Sequence, residues 1–286
     1  MSAKETQVAV IDAKNFALMQ VDSSEIAEVF AENLGGDALR MSDLTTIHIP
    51  AGGSLAWSIP TIDGETTTAN LQGVVVAHKN VRRYYKEDFA TSGGGTAPDC
   101  KSEDGIHGQG ECASKCGGLC SNCPMGTFTK NEKGDWQPTP CKQYTLVFLV
   151  REDAILPSVL VVAPTSIRAF SDYKRALATQ KMKRLSAVIS EFTLSREKSA
   201  TGISYSKMAV KPIQYLDKEL QVQFRDFGLK MEQFLNTYVA PDNLEGFVVA
   251  GNEDIGEPKE AGSSDETGFT DADIDGMDVD NIPFAV

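Results

Sequence analysis

The chain has 286 residues and a formal net charge of −13, from 40 acidic and 27 basic side chains, which gives length for one large domain or two small ones and for an ordinary core. The charge is uneven: eleven Asp and Glu against Lys259 alone fall between Gly251 and Val286, so that segment carries −10 and the remainder about −3. There is no run of about 18 apolar residues to span a membrane, and Met1 to Thr6 lacks the basic-then-apolar pattern of a secretory signal, so no membrane partner and a cytoplasmic location are expected.

Residues 1–43 read as a helical extension. Within it, 25–34 follow Asp22-Ser23-Ser24 as cap candidates, place Ile26, Val29, Phe30 and Leu34 on one face, and stop at Gly35-Gly36. Strand patterns come next at 44–49, 54–59 and 69–78, the last through Val74-Val75-Val76, with turn signals at Pro50-Ala51-Gly52-Gly53 and Asp63-Gly64 between them. A cysteine-rich insertion at about 95–142 is followed by strand patterns at 144–151 and 159–162. A helix from 166 to about 182 follows Pro164-Thr165 with Ile167, Phe170, Tyr173 and Leu177 at helical spacing. Strands near 187–195 and 203–210 meet at a turn around Ala200-Thr201-Gly202. A last helix at 218–235 follows Asp217 and carries the stripe Leu220, Phe224, Phe227, Met231, Leu235. Five or six short strands with one helix among them predict a mainly β, α+β fold over 44–240. Its expected form is a small closed or nearly closed Greek-key barrel of the oligonucleotide-binding (OB) kind, with 218–235 packed on it.

All six cysteines fall between Cys100 and Cys141, and in a reducing compartment that clustering points to metal rather than disulfides. Cys120-Ser121-Asn122-Cys123 is a knuckle whose two thiolates can meet one tetrahedral ion from a tight turn. Cys100 and Cys141 are the natural second pair, because they stand where the strands entering and leaving the insertion come together. The expected ligand set is therefore Cys100, Cys120, Cys123 and Cys141 around a structural zinc ion. Cys112 and Cys116 are spares, either able to replace Cys100, and His107 is a further candidate ligand. An iron–sulfur centre also uses four thiolates and stays as the alternative. Four thiolates close the coordination sphere, so the ion would stabilise a small lobe rather than catalyse.

The segment after Gly251 is expected to be disordered, since so acidic a stretch with Gly, Ser and few apolar side chains cannot offset its ordering entropy. It ends in an apolar hook. Asp278, Asp280, Ile282, Pro283 and Phe284 resemble the acidic tip of bacterial single-stranded DNA-binding proteins, which recruits replication, recombination and repair enzymes. This chain departs from that pattern by adding Ala285 and Val286 after Phe284. A barrel with an inserted zinc lobe is similar to the C-terminal module of the large DNA-binding subunit of replication protein A. The chain also resembles a family of phage-type single-stranded DNA-binding proteins over roughly residues 44–210. The shared elements are Gly52-Gly53 followed by Trp57, Pro98-Asp99-Cys100-Lys101-Ser102-Glu103-Asp104-Gly105, Cys120-Ser121-Asn122-Cys123-Pro124, Cys141-Lys142 and Pro164-Thr165-Ser166. These resemblances imply sequence-independent binding and protection of single-stranded DNA in replication and recombination, within a host bacterial cytoplasm.

Such binding needs cations that follow phosphates and flat side chains on which bases stack, each stack worth about 1–3 kcal/mol. Lys79-Asn80-Val81-Arg82-Arg83-Tyr84-Tyr85-Lys86 interleaves both, and is the first candidate. Arg168, Tyr173 and Lys174 on the central helix and Tyr205 and Lys207 on the last strand complete the expected contact set. The chain holds three His (48, 78 and 107), no His-Glu-x-x-His and no phosphate loop, which favours a binder over an enzyme. The alternatives are a zinc-containing interaction or transcription adaptor, or a metal-dependent nucleic-acid enzyme.

Overall fold

The computed structural model describes residues 14, 16–20, 28–29, 32–33, 43–87, 97–130, 132, 134, 136–137, 139–199, 202–235, 240, 242 and 244. The expected acidic tail 251–286, with Asp278, Asp280, Ile282, Pro283 and Phe284, lies outside them, as does most of the 1–43 extension. Chain order is α1 (Ala17–Gln20), β1 (Thr46–His48), β2 (Trp57–Thr61), β3 (Gly64–Thr68), β4 (Leu71–Tyr84), β5 (Cys100–Ser102), β6 (Gln109–Gly110), α2 (Glu111–Lys115), β7 (Thr129–Lys130), β8 (Trp136–Gln137), β9 (Cys141–Val150), β10 (Ser158–Val162), α3 (Pro164–Lys181), β11 (Val188–Lys198), β12 (Ser204–Tyr215) and α4 (Lys218–Leu235).

The main sheet runs β1-β10-β9-β4-β11-β12, parallel at β1–β10 and antiparallel elsewhere, with β5 and β6 added beside the far end of β4. It does not close: among the described residues no pairing joins β1 to β12. The fold is mixed, mostly strands with a few helices, and the expected closed Greek-key barrel is corrected to an open sheet covered on both faces. The cause lies in composition. A barrel strand alternates between core and solvent, whereas every residue from Tyr144 to Val150 and every residue of β10 is buried, the pattern of strands covered on both sides.

Two helices supply the cover. On one face Val74, Val76, Leu146, Phe148, Val150 and Val159 pack with Leu220, Phe224 and Leu235 of α4 and with Phe16. On the other, Val75, Val147, Leu149, Leu160 and Val162 pack with Ile167, Phe170 and Leu177 of α3 and with Trp57 and Ile59 of the β2–β3 hairpin. Each buried side chain of this size contributes about 1.5–3 kcal/mol. Trp57 is fully buried and its indole N–H donates to the Phe192 carbonyl at 3.0 Å. Asp217 caps α4, accepting from the Leu220 N–H at 2.9 Å. Pro164 opens α3, where its missing N–H costs nothing, and the helix stops at Met182 in the left-handed conformation.

A register shift between Val75 and Ala77 makes Val76 a bulge in β4, and there α4 comes close enough that a Cβ on Gly228 would stand 2.5 Å from the Val76 carbonyl oxygen. Beyond the bulge the pairing with β9 is regular, so side chains alternate strictly. His78, Asn80, Arg82 and Tyr84 share the α3 face, while Lys79, Val81 and Arg83 share the α4 face. That parity governs the site.

Candidate metal centre and nucleic-acid surface

The cysteine lobe grows from the point where β4 ends. Tyr84 pairs with Cys141 of β9 on one side and with Cys100 of β5 on the other, so these two cysteines flank it on the α3 face. β5 pairs back onto β6 at Gly110, whose φ of 131° and whose Cα, where a Cβ would lie 2.2 Å from the Asp99 carbonyl oxygen, both demand glycine. From there α2 carries Cys112, with Cys116 at its C-terminal cap. The knuckle forms a 3-10 turn over Cys120–Asn122, closed by the Cys123 N–H donating to the Cys120 carbonyl.

All six thiols are free and line one pocket together with Arg82, Lys101, Ser102 and Gly108. A Cβ on Gly108 would stand 3.6 Å from Cys100 Sγ and 3.7 Å from Cys120 Sγ, so glycine keeps that space open. The Cys116 thiol donates back to the Cys112 and Ala113 carbonyls at 3.4 and 3.5 Å. Burial pushes the Cys112 thiol up to about 12, its contact with Cys100 adding to the effect. Burial likewise pushes Cys141 up to about 11, against the pull of the Arg82 guanidinium. Buried thiols crowded in this way keep their protons near neutrality unless a cation replaces them.

Among the described residues no group of three or more His, Cys, Asp or Glu stands at metal-holding geometry. The donor set nevertheless suits a soft cation: six sulfurs converge, with no carboxylate or imidazole lining the pocket. Cys112 and Cys116, read from the sequence as spares, share the pocket with the expected four. Their four-residue spacing on a helical turn was the available signal. His107 instead binds Asp104, Nδ1 to Oδ2 at 2.6 Å.

Strand parity divides the basic-aromatic run. Arg82 donates to Gln143 Oε1 at 2.8 Å beside the thiols, and Tyr84 packs against the cysteine cluster. The opposite face grips the chain beyond α4. Arg83, 1 % exposed, donates to the Ser102 and Ala240 carbonyls and pairs with Glu103 at 3.0 Å. Tyr85 donates to the Asp242 carbonyl, Lys101 pairs with the Asp242 carboxylate at 3.1 Å, and Lys79 donates to the Leu235 carbonyl at 3.4 Å. Leu244 is buried under the same face. Lys79, Arg83 and Tyr85 thus hold a strap in place.

Of the remaining expected contacts, Tyr173 is buried with its hydroxyl 2.7 Å from Ser190 Oγ. Lys174 lies with Nζ 5.2 Å from the Phe170 ring centroid, within cation–π range. Arg168 pairs with Asp172 at 3.8 Å on the exposed side of α3. Tyr205 is half-buried on β12, and Lys207 reaches Glu197 at 3.4 Å. The sequence reading passed over His78 and Asn80, which the same alternation exposes beside α3; the His78 ring meets Phe170 edge-on at 5.8 Å.

Arg168, Lys174, Arg175, Lys181, Lys183 and Arg184 thus gather on and just after α3, with Asp172 the one acid on that helix. They lie over the face of the sheet that also carries the thiol pocket. Among the described residues no helix is long and apolar enough to cross a membrane. No protein-family model, curated protein or solved structure matches the chain.

Proposed function

We propose that this protein binds single-stranded DNA without sequence preference along the α3 face, and that its acidic tail docks partner enzymes of replication and recombination through Asp278, Asp280, Ile282, Pro283 and Phe284. The observation that carries this reading is the segregation of charge: six cations on or beside one surface helix, and a net −10 in the last 36 residues of a chain whose remainder is nearly balanced. Phosphates would be met by Arg168, Lys174, Arg175 and Lys181. Ion pairs at surface positions such as Arg168–Asp172 and Arg175–Asp172 are worth little, so a phosphate can replace the carboxylate at small cost. Lys207 and Tyr205 extend the track along β12, and His78 and Asn80 form polar ground beside the helix. Arg83 and Tyr173 act from the interior, as positioning residues.

The cysteine lobe is the second half of the reading. A zinc ion held by thiolates would supply structural cross-linking and no reaction chemistry. Arg82 stands where it offsets negative charge on the sulfurs while its neighbours Asn80 and His78 face the proposed DNA track, so the lobe would hold that end of the track in shape.

The test is fluorescence anisotropy of a labelled dT oligomer and of a matched duplex, titrated with the full chain and with a version ending at Ala250 across a range of salt. Expected is salt-weakened binding to the single strand alone, tighter without the tail at low salt. No binding by either version would overturn the DNA reading and leave an adaptor built from the lobe and the tail.

A further inference from the structure

The α3 face of β4 and β9 continues past the helix towards the lobe, and there it turns from apolar to polar. His78, Asn80 and Arg82 of β4 stand on it, with Thr145 opposite Asn80 and Gln143 opposite Arg82 on β9. Helix α3 borders this floor at one end, where Lys174 and the His78 ring both meet Phe170. The lobe borders it at the other: a Cβ on Gly105 would stand 3.0 Å from Asn80 Cβ, and one on Gly126 would stand 3.0 Å from Arg82 Nη1. His78 and Asn80 are exposed between these borders. Both amides are held by their oxygens. The Thr145 hydroxyl, on a buried residue, donates to Asn80 Oδ1 at 2.7 Å, and Arg82, which can only donate, reaches Gln143 Oε1 at 2.8 Å. Each amide is thus left with its NH2 group to bond a ligand, and neither nitrogen has a partner among the described residues.

Resting on the single-strand reading above, we infer that this floor is a base site that takes thymine before adenine, the Asn80 and Gln143 amides donating to base carbonyls and the His78 ring serving as stacking partner. The floor offers amide donors, and none of its five side chains is acidic. Thymine presents its O2 and O4 carbonyls as acceptors, whereas adenine carries an N6 amino group beside N7 and would set donor against donor. Asn80 and Gln143 are diagonal neighbours on adjacent antiparallel strands, a relation that puts residues about 7–8 Å apart, so both amides can reach one base. His78 gives a flat ring of the kind on which single-strand binders stack bases. Desolvation, helped by the Lys174 ammonium, pushes its pKa down to about 4, so the ring is uncharged at pH 7. Phosphate contacts along α3 stay blind to sequence, and the floor adds a bias towards thymine on top of them.

The experiment is fluorescence anisotropy of labelled dT and dA oligomers of equal length with the full chain and with its Asn80→Asp/Gln143→Glu variant. The exchange keeps the oxygens that Thr145 and Arg82 hold and turns both free donors into acceptors. The quantity read is the dT-to-dA affinity ratio, in which repulsion of phosphates by the new carboxylates and the self-stacking of dA both cancel. Expected is a ratio about tenfold higher in the wild type than in the variant. An equal ratio in the two chains overturns the base site and leaves single-strand binding in place. No binding of either oligomer by the wild type overturns both. Should the variant fail to fold, photocrosslinking of a 5-bromodeoxyuridine-substituted oligomer to the wild-type chain decides: adducts at residues 78–82 are expected, and adducts confined to other segments overturn the site.

Discussion

The sheet and its two helices bury apolar clusters of nineteen and sixteen residues, whereas the lobe between β4 and β9 has a cluster of four, three of them cysteines. In the first region the hydrophobic effect offsets the entropy of ordering the chain. In the second, short strands, a five-residue helix and two 3-10 turns are tied by loop hydrogen bonds, among them Gly108 N–H to the Gly118 carbonyl and Cys120 N–H to the Ile106 carbonyl, both 2.8 Å. Such bonds contribute about 1 kcal/mol each and do not order some forty residues. The two regions share a strand, β4, yet they depend on different physics, and the lobe needs a staple that the sandwich does not.

Metal removal separates them most sharply. A structural zinc site is worth on the order of 10 kcal/mol, so if the lobe holds the proposed ion, stripping with a strong chelator should unfold the lobe alone. Hydrogen exchange is expected to lose protection at Lys101, Ala113 and Cys120–Cys123 while Leu146–Val150 keep theirs. Full protection of the lobe after verified stripping would show that it stands without an ion.

Arg83→Ala strikes the seam instead. It leaves Glu103 and the Ala240 carbonyl without their guanidinium partner in a buried setting, a loss of about 3–5 kcal/mol when one member of such a pair is removed. The expected result is a lower urea midpoint for the whole chain with the metal content unchanged. A smaller effect confined to the sandwich is expected from Gly228→Ala. The added methyl meets the Val76 carbonyl, and overpacking of about 1–3 kcal/mol outweighs the roughly 1 kcal/mol gained in helix propensity. Denaturant unfolding checks it; a stabilised variant would mean that α4 rides further from the sheet.

Both helices that cover the sheet were legible because their apolar stripes repeat at helical spacing, α3 starting two residues before the expected 166. The barrel was misread because of what Tyr144–Val150 and Ser158–Val162 lack: alternation. Uninterrupted apolar strands require cover on both faces, and two amphipathic helices were available to give it. Parity along Lys79–Lys86 was half-legible. Neighbouring residues had to point to opposite faces, but the bulge at Val76, which sets the phase, follows from how α4 meets the sheet. The strap was out of reach, since nothing local announces that Arg83 meets Ala240 across 157 residues. The six cysteines announced a cluster by proximity alone, and the i, i+4 spacing of Cys112 and Cys116 placed both on one side of a turn.

The smallest expected effect tests whether the lobe also depends on a carboxylate. Asp104 caps the loop that leads to His107: it accepts from the Ile106 N–H at 2.8 Å, the His107 N–H at 2.7 Å and the Ser102 hydroxyl at 3.0 Å, besides the His107 ring. Partial burial raises its pKa, but the hydrogen bonds, led by those from His107, outweigh that and hold it well below the ordinary carboxylate range. A group whose folded pKa is depressed stabilises the fold above its unfolded value, near 4, and that contribution fades as pH falls through the folded value. Asp104→Asn keeps an acceptor and loses the charge. Its stability deficit should therefore be full at pH 7, start to shrink as pH drops below about 4, and be read as lobe protection in hydrogen exchange rather than as the sandwich's unfolding midpoint. A deficit that stayed constant down to pH 3 would assign the residue's role to geometry rather than charge.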